Sequence, residues 1–202
     1  MSKEFLSYQQ VRNNSLKLAH RMHTDGFTPD VIYVSLRGGA YVGNVISEYF
    51  KVVRPEGQRP VFYAALVAHS YSGVKEQYKI RVDGWTYSPE HLRQGDKILL
   101  IDDIFDSGRT INHLVEVLLE KGVPRRDIKI AVHDYKVRTY LSNQLPIQPD
   151  YFCRKHLVSS PTEDNWIHYL SHELVGLTDE EIEHNYADDQ EVVALLKQLR
   201  DY

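Results

Sequence analysis

The sequence predicts an α/β fold in which a mostly parallel, twisted sheet is flanked by helices. Short apolar runs have the length of strands buried on both faces, and they lie at residues 31–34, 61–68, 97–101 and 128–133. Apolar residues at helical spacing follow two of these runs, at 40–50 and 109–121. Strands that alternate with helices through short turns favour parallel pairing with right-handed crossovers. In such sheets a ligand site lies beyond the carboxyl ends of the strands.

Glycine turns and one polar stretch separate these elements. Arg37-Gly38-Gly39 ends the strand at 31–34, while Gly122 and Pro124 end the second of the two helices. Residues 69–77 are polar and contain glycine, and an extended pattern resumes after them. We interpret this polar stretch as a flap over the site.

The two ends of the chain add smaller elements. Residues 8–21 have the apolar spacing of an amphipathic helix, and 144–164 are irregular and contain several prolines. Thr178 to Glu181 can form a capping box, and 191–199 again has helical spacing. We expect a single domain over 1–202, with a core at about 28–140 and a small hood and C-terminal helical appendage at about 141–202.

Composition excludes several classes of protein. A chain of 202 residues can bury a core without disulfide bonds or bound metals to stabilise it. Its formal net charge of −4 argues against a nucleic-acid partner. The single Cys153 excludes an internal disulfide and a zinc site built on paired cysteines. No signal sequence and no membrane-length apolar run is present, so we expect a soluble, cytoplasmic protein with no membrane partner.

The most informative segment is the run ILLIDDIFDSGRT at residues 98–110, where a buried strand leads through a turn into a helix. Unpaired amides and the dipole at a helix N-terminus form a site for a phosphate group. Gly108 permits close backbone approach, and Ser107 and Thr110 offer hydroxyl groups to the same phosphate. Asp102 and Asp103 precede that site and can accept hydrogen bonds from ribose hydroxyls or hold magnesium-bound water.

This run resembles the signature with which type I phosphoribosyltransferases bind phosphoribosyl pyrophosphate (PRPP), and it matches at every position. The resemblance implies the fold predicted above, with Mg²⁺ as the cofactor and Asp102 and Asp103 as its site. It also implies a PRPP-binding set of Asp102, Asp103, Asp106, Ser107, Gly108, Arg109 and Thr110. Taken alone, one aspartate in such a turn would be an ordinary helix cap.

Two further segments resemble parts of the same family. Ser35 to Gly39 resembles its pyrophosphate-binding loop, which implies PRPP contacts from Arg37, Gly38 and Gly39 and a cis peptide between Leu36 and Arg37. Ser70 and Tyr71 lie where the family carries a loop that closes over PRPP. From the residues alone, an ordinary turn and a plain surface loop stay open as alternatives.

The acceptor class rests on Lys136, Trp166 and Ile167, which resemble the base-binding elements of the xanthine-guanine and hypoxanthine-guanine enzymes. The resemblance implies that Lys136 donates to the oxygen at purine carbon 6, that Trp166 stacks on the ring, and that the Ile167 backbone contacts its edge. A surface lysine and a core tryptophan are the alternative. Residues 168–173 depart from the family pattern, which leaves the base open among hypoxanthine, guanine and xanthine.

These observations predict a purine phosphoribosyltransferase, a pentosyltransferase that releases pyrophosphate. By resemblance Asp106 would be the general base, Arg37 would stabilise the leaving group, and the protein would be a homodimer or homotetramer. A PRPP-sensing regulator without catalysis and a transferase for a non-purine base stay open as alternatives. On a helix His168 and His172 would share one face, next to Glu173, and could bind a metal, but no third ligand stands at a characteristic spacing.

Overall fold

A computed structural model describes residues 2–73, 76–141 and 145–199. They divide into two compact units, a larger one over Arg12–Glu163 and a smaller one drawn from Met1–Val11 and Asp164–Tyr202. The predicted division of a single domain near residue 140 stays a prediction. In chain order the described elements are β1 Lys3–Leu6, α1 Tyr8–Thr24, β2 Val31–Leu36, α2 Gly39–Val53, β3 Phe62–Gly73, β4 Glu76–Trp85, β5 Ile98–Phe105, α3 Arg109–Glu120, β6 Ile128–Arg138, β7 Tyr151–Val158, β8 Trp166–Tyr169, α4 Asp179–Asn185 and α5 Gln190–Leu199.

The larger unit contains a six-stranded sheet in the order β4-β3-β2-β5-β6-β7. Its neighbours pair in parallel except β3 and β4, which are antiparallel. The predicted α/β fold with a mostly parallel sheet is therefore confirmed. Val31 pairs with Ile98 and Ile98 pairs with Ile128, so β2, β5 and β6 start in register. Their carboxyl ends consequently lie along one edge of the sheet.

Helices pack on both faces of this sheet. Val31 and Tyr33 lie in one fully buried cluster with apolar side chains of α3, including Leu114. Val34 points to the other face, where a Cβ on Gly43 of α2 would lie only 2.1 Å from its Cγ1. Successive residues of a strand point to opposite faces, which explains why these strands are apolar throughout.

The smaller unit pairs the start of the chain with a segment near its end. Strands β1 and β8 are parallel, and Lys3 is opposite Trp166. The predicted capping box is present, because the Thr178 hydroxyl accepts from the Glu181 amide and the Glu181 carboxylate accepts from the Thr178 amide. Apolar residues of α4 and α5 form a separate small core with Leu177.

Several strand predictions need correction. Strand β3 continues beyond residue 68 to Gly73, and strand β5 continues beyond residue 101 to Phe105. The segment predicted as irregular contains β7, at Tyr151–Val158. Strand β6 continues five residues beyond the predicted end at His133, to Arg138. Strand β1 was not predicted, because its partner β8 lies far along the chain.

No helix in the described ranges is both long and apolar enough to cross a membrane.

Candidate active site

The candidate site lies at the carboxyl edge of the sheet, where β5 ends and α3 begins. Gly108 occupies the N-cap of α3 in the left-handed conformation, with φ of 74°. A Cβ there would lie 2.1 Å from Cζ of Phe105, so both the backbone angle and the space require glycine. The N-cap residue has no side chain, and the Arg109 amide donates to Ser107 Oγ in a long contact of 3.4 Å. The first amides of a helix have no intrahelical partner, so this end of α3 can serve an anion.

Asn112 fixes the end of this turn against a distant segment. Its side-chain nitrogen donates to the carbonyl oxygens of Gly108, at 2.9 Å, and Ile147, at 3.0 Å. Its side-chain oxygen accepts from the Ile147 amide at 3.1 Å. The side chain is buried, so these three bonds hold the turn before α3 in place.

The second loop, Arg37 to Gly39, lies directly against the aspartate pair. A Cβ on Gly38 would lie 2.3 Å from the Asp103 carboxyl carbon, and one on Gly39 would lie 2.7 Å from the Ile101 carbonyl oxygen. Only residues without a side chain allow this approach. The peptide between Leu36 and Arg37 is cis, as the resemblance implies, and the Arg37 side chain is exposed.

Asp102 and Asp103 are adjacent carboxylates in the last part of β5, and both are half-buried. Burial raises the pKa of the Asp102 carboxyl well above its ordinary value, and the neighbouring Asp103 raises it further. The Asp103 amide donates to Asp102 Oδ1 at 3.0 Å, and the Ser35 hydroxyl also donates to this carboxylate; both bonds act in the opposite direction. A cation or a set of hydroxyl donors would therefore stabilise the ionised pair.

Asp106 follows β5 and meets two cationic side chains from β6. Arg138 Nη2 donates to Asp106 Oδ1 at 2.6 Å, and Arg138 Nη1 donates to the Asp106 carbonyl oxygen at 3.1 Å. Lys136 Nζ lies 3.9 Å from the same Oδ1. The Lys136 side chain is 7% exposed, whereas that of Asp106 is 49% exposed. The structure thus brings the predicted general base and the predicted base-binding lysine together.

These residues border a cavity of about 240 Å³. Its polar lining includes Asp106, Ser107, Lys136 and Arg138, and Leu141 and Leu145 are among its apolar residues. A concave space with apolar walls and a few converging polar groups is typical of small-molecule sites.

Other predicted site residues lie on separate elements. The backbones of Ser70 and Tyr71 belong to β3 and pair with Ile80 and Lys79 of β4. Their side chains lie outside the described part of the structure. Arg109 and Thr110 begin α3, and Arg109 is exposed.

Trp166 and Ile167 belong to the smaller unit. Both lie in β8, where the Trp166 side chain is 52% exposed and Ile167 is buried. Their predicted contact with a base stays a prediction. His168 is buried, with Nε2 3.1 Å from the Glu173 carbonyl oxygen and Nδ1 3.4 Å from the Glu173 carboxylate.

Arg138 and Asn112 were missed from the sequence. Arg138 stands two residues beyond Lys136, and this spacing places two side chains on one face of a strand. That signal was hidden because the strand was predicted to end at His133.

Comparison with known proteins agrees with this geometry. Residues 2–158 match the family described as phosphoribosyl transferase domain. The chain therefore belongs to the phosphoribosyltransferase family.

Individual relatives are more distant. A xanthine phosphoribosyltransferase of Bifidobacterium adolescentis is 30% identical over 118 residues, which cover 54% of this chain and 58% of that protein, less than two thirds of its length. The bifunctional protein PyrR of Halalkalibacterium halodurans is 27% identical over 155 residues, covering 75% of this chain and 82% of the relative. The crystal structure of a purine phosphoribosyltransferase from Pyrococcus horikoshii superposes with a TM-score of 0.65 at 21% identity, covering 88% of this chain and 99% of that one.

Proposed function

We propose that this protein transfers the 5-phosphoribosyl group of PRPP to a 6-oxopurine base, namely hypoxanthine, guanine or xanthine, and releases pyrophosphate. The observation that carries the proposal is the meeting of three features at one edge of the sheet. The turn before α3, the loop at Arg37 and the pair Asp106–Lys136 all lie at the carboxyl ends of β2, β5 and β6. The xanthine enzyme and the purine enzyme among the similar proteins belong to the same reaction class.

In this proposal the turn before α3 binds the 5-phosphate of PRPP. The amides of residues 107–110 and the hydroxyls of Ser107 and Thr110 donate to its oxygens, and the helix dipole favours its charge. Asp102 and Asp103 lie just before this turn, where their carboxylates accept from the ribose hydroxyls.

The residues present also fit a magnesium ion. Asp102 and Asp103 supply the oxygen ligands that Mg²⁺ prefers. Within the described ranges no three or more His, Cys, Asp or Glu side chains are grouped to hold a metal by themselves. This donor set suits an ion that keeps waters and substrate oxygens as ligands. When bound, Mg²⁺ would offset negative charge on the pyrophosphate.

The transfer itself is a displacement at the anomeric carbon of the ribose. The bond from that carbon to the pyrophosphate oxygen breaks with its electron pair on the oxygen, where Arg37 stabilises the charge. A ring nitrogen of the base forms the new bond, and Asp106 accepts the proton that the base loses. The backbone at Ser70 and Tyr71 lies in the β3–β4 hairpin, which we propose covers PRPP and excludes water.

The base is recognised by polar and aromatic groups. Lys136 donates to the oxygen at purine carbon 6. The stacking of Trp166 on the ring and the contact of the Ile167 backbone with the edge at carbon 2 stay predictions from the resemblance. The buried position of Lys136 beside Asp106 supports this role, because it places a donor next to the proton acceptor.

The test is pyrophosphate release from PRPP and Mg²⁺ with hypoxanthine, guanine, xanthine, adenine or uracil, each against a control without base. We expect release with at least one 6-oxopurine and none with adenine or uracil. Release with uracil alone would indicate that the base accepted by the enzyme is a pyrimidine. PRPP binding without release for any base would contradict the transferase and favour a PRPP-sensing regulator.

A further inference from the structure

Arg138 is the last residue of β6, and its guanidinium contacts Asp106 at two points. One arm donates to the carboxylate at 2.6 Å and the other to the main-chain carbonyl at 3.1 Å. A guanidinium is planar and rigid, so two simultaneous bonds fix the orientation of both groups. The contact therefore restrains the peptide and the side chain of Asp106 together.

We propose that Arg138 is a positioning residue that holds the Asp106 carboxylate in the orientation needed to accept the proton of the acceptor base. This inference rests on the function proposed above and adds a residue to it. Lys136 and Arg138 stand on the same face of β6, but only Arg138 makes a short, charge-assisted bond to Asp106. Arg138 therefore orients the carboxylate, while Lys136 is assigned to the base.

Asp106 is the residue that needs such a restraint. It lies in the turn between β5 and α3, with about half of its side chain exposed. An exposed side chain in a turn samples several rotamers, and a small misplacement of a reacting group lowers the rate steeply. Both cations approach Oδ1 of Asp106, Arg138 Nη2 at 2.6 Å and Lys136 Nζ at 3.9 Å. We therefore assign Oδ2 to the proton of the base.

The end of β6 is held by pairing and hydrogen bonds to β7, so it can support the Arg138 side chain. Arg138 pairs with Val158 of β7, and the Thr139 amide donates to the Val158 carbonyl oxygen at 2.9 Å. The Thr139 hydroxyl donates to the same oxygen at 3.2 Å. The Arg138 side chain is 18% exposed, so its stem is mostly packed. A packed arginine on a paired strand is a rigid support for a residue in a turn.

The experiment compares Arg138→Gln with wild type in the base-dependent release assay. We expect kcat to fall by about 10- to 100-fold, because a carboxylate without its restraint is misplaced for much of the time. The KM for PRPP should stay close to the wild-type value, because Arg138 is not assigned to PRPP. Arg138→Lys keeps the stem and the charge but offers one point of contact, so we expect its kcat to lie between the two.

The decisive comparison is with the double variant Asp106→Asn/Arg138→Gln. If Arg138 acts only through Asp106, the double variant should be no slower than Asp106→Asn alone. If the double variant loses kcat by the product of the two single losses, the inference is wrong. It is also wrong if Arg138→Gln keeps the wild-type kcat. The matched control is Arg126→Gln, whose side chain is 84% exposed near the amino end of β6.

Failure of this inference is distinguishable from failure of the proposed function. Wild-type transfer with an unaffected Arg138→Gln overturns only the role of Arg138. Absence of transfer in wild type with every base overturns the proposed function, and the role of Arg138 falls with it. An unfolded Arg138→Gln would show no cooperative thermal transition, and Arg138→Lys then supplies the comparison.

Discussion

The two halves of the candidate active site are built in different ways. The backbone-built half consists of the loops at residues 37–39 and 107–110, with Asp102 and Asp103 between them. Gly38 and Gly39 bring the first loop against Asp102 and Asp103, and Gly108 lets the second loop pass close to the Phe105 ring. The side-chain-built half consists of Asp106, Lys136 and Arg138, which meet only because β5 and β6 are neighbours.

This difference implies different sensitivities. A backbone-built site depends on the absence of side chains, so it is damaged by adding atoms. A side-chain-built site depends on the charge and reach of a few groups, so it is damaged by removing them. We therefore expect substitutions of the glycines in the backbone-built half to act on PRPP binding and substitutions in the side-chain-built half to act on turnover.

The largest effect is expected for Asp106→Asn. An amide cannot accept the proton of the base, so kcat should fall by about 100- to 10,000-fold, the usual contribution of a general base. PRPP affinity, measured by titration calorimetry, should change little. Asp127→Asn is the matched control, because Asp127 lies in the short helix before the opposite end of β6. Full turnover in Asp106→Asn would remove this residue from the proposed role and erase the contrast between the halves.

Gly38→Ala tests the backbone-built half. Gly38 has a φ of −56°, which any residue adopts, so the substitution acts only through the contact of its Cβ with the Asp103 carboxylate. Overpacking costs about 1–3 kcal/mol. If that cost falls on the PRPP complex, the Kd for PRPP should rise by about 5- to 150-fold.

The control for Gly38→Ala is Gly84→Ala in β4, where an added Cβ would meet nothing within 4 Å. Both substitutions add one methyl group, and only the first should alter PRPP affinity. A fall in kcat with unchanged PRPP affinity in Gly38→Ala would break the proposed division of labour.

The same contrast explains which parts of the molecule were predictable from the sequence. The turn at residues 106–110 uses neighbouring residues, so its signature is local and can be recognised in one run of letters. The contact between Gly38 and Asp103 joins segments that are far apart in the chain, and only the fold brings them together. The meeting of Arg138 with Asp106 likewise needs the pairing of β5 with β6.

Strand β6 was predicted too short for an identifiable physical reason. His133 and Asp134 interrupt its apolar run, and such residues usually mark the end of a buried strand. Both are fully buried here, because His133 Nδ1 and His156 Nε2 each lie 2.6 Å from an oxygen of the Asp134 carboxylate. His133 on the same strand and His156 on β7 thus offset the cost of burying this charge, and no local pattern could reveal the partner on β7.

The smallest expected effect concerns the stability of the backbone-built half. Burial and Asp103 raise the pKa of Asp102, so folding favours its protonated form. That contribution to stability is complete below the ordinary carboxyl pKa and is lost as the pH rises through the raised value. Asp102→Asn resembles the protonated carboxyl and does not titrate. We therefore expect the variant to be more stable than wild type at pH 7, by a margin that shrinks toward about pH 4.

Urea unfolding of both proteins at the two pH values measures this margin. PRPP with Mg²⁺ should reverse the order at pH 7, because a ligand stabilises the protein that binds it more tightly. Equal midpoints of the two proteins at both pH values would show that burial and the neighbouring Asp103 do not destabilise the charged form of Asp102. A variant that is more stable alone but less stabilised by PRPP would show that repulsion between Asp102 and Asp103 destabilises the protein without ligand. Mg²⁺ and the ribose hydroxyls would then offset this repulsion when PRPP binds.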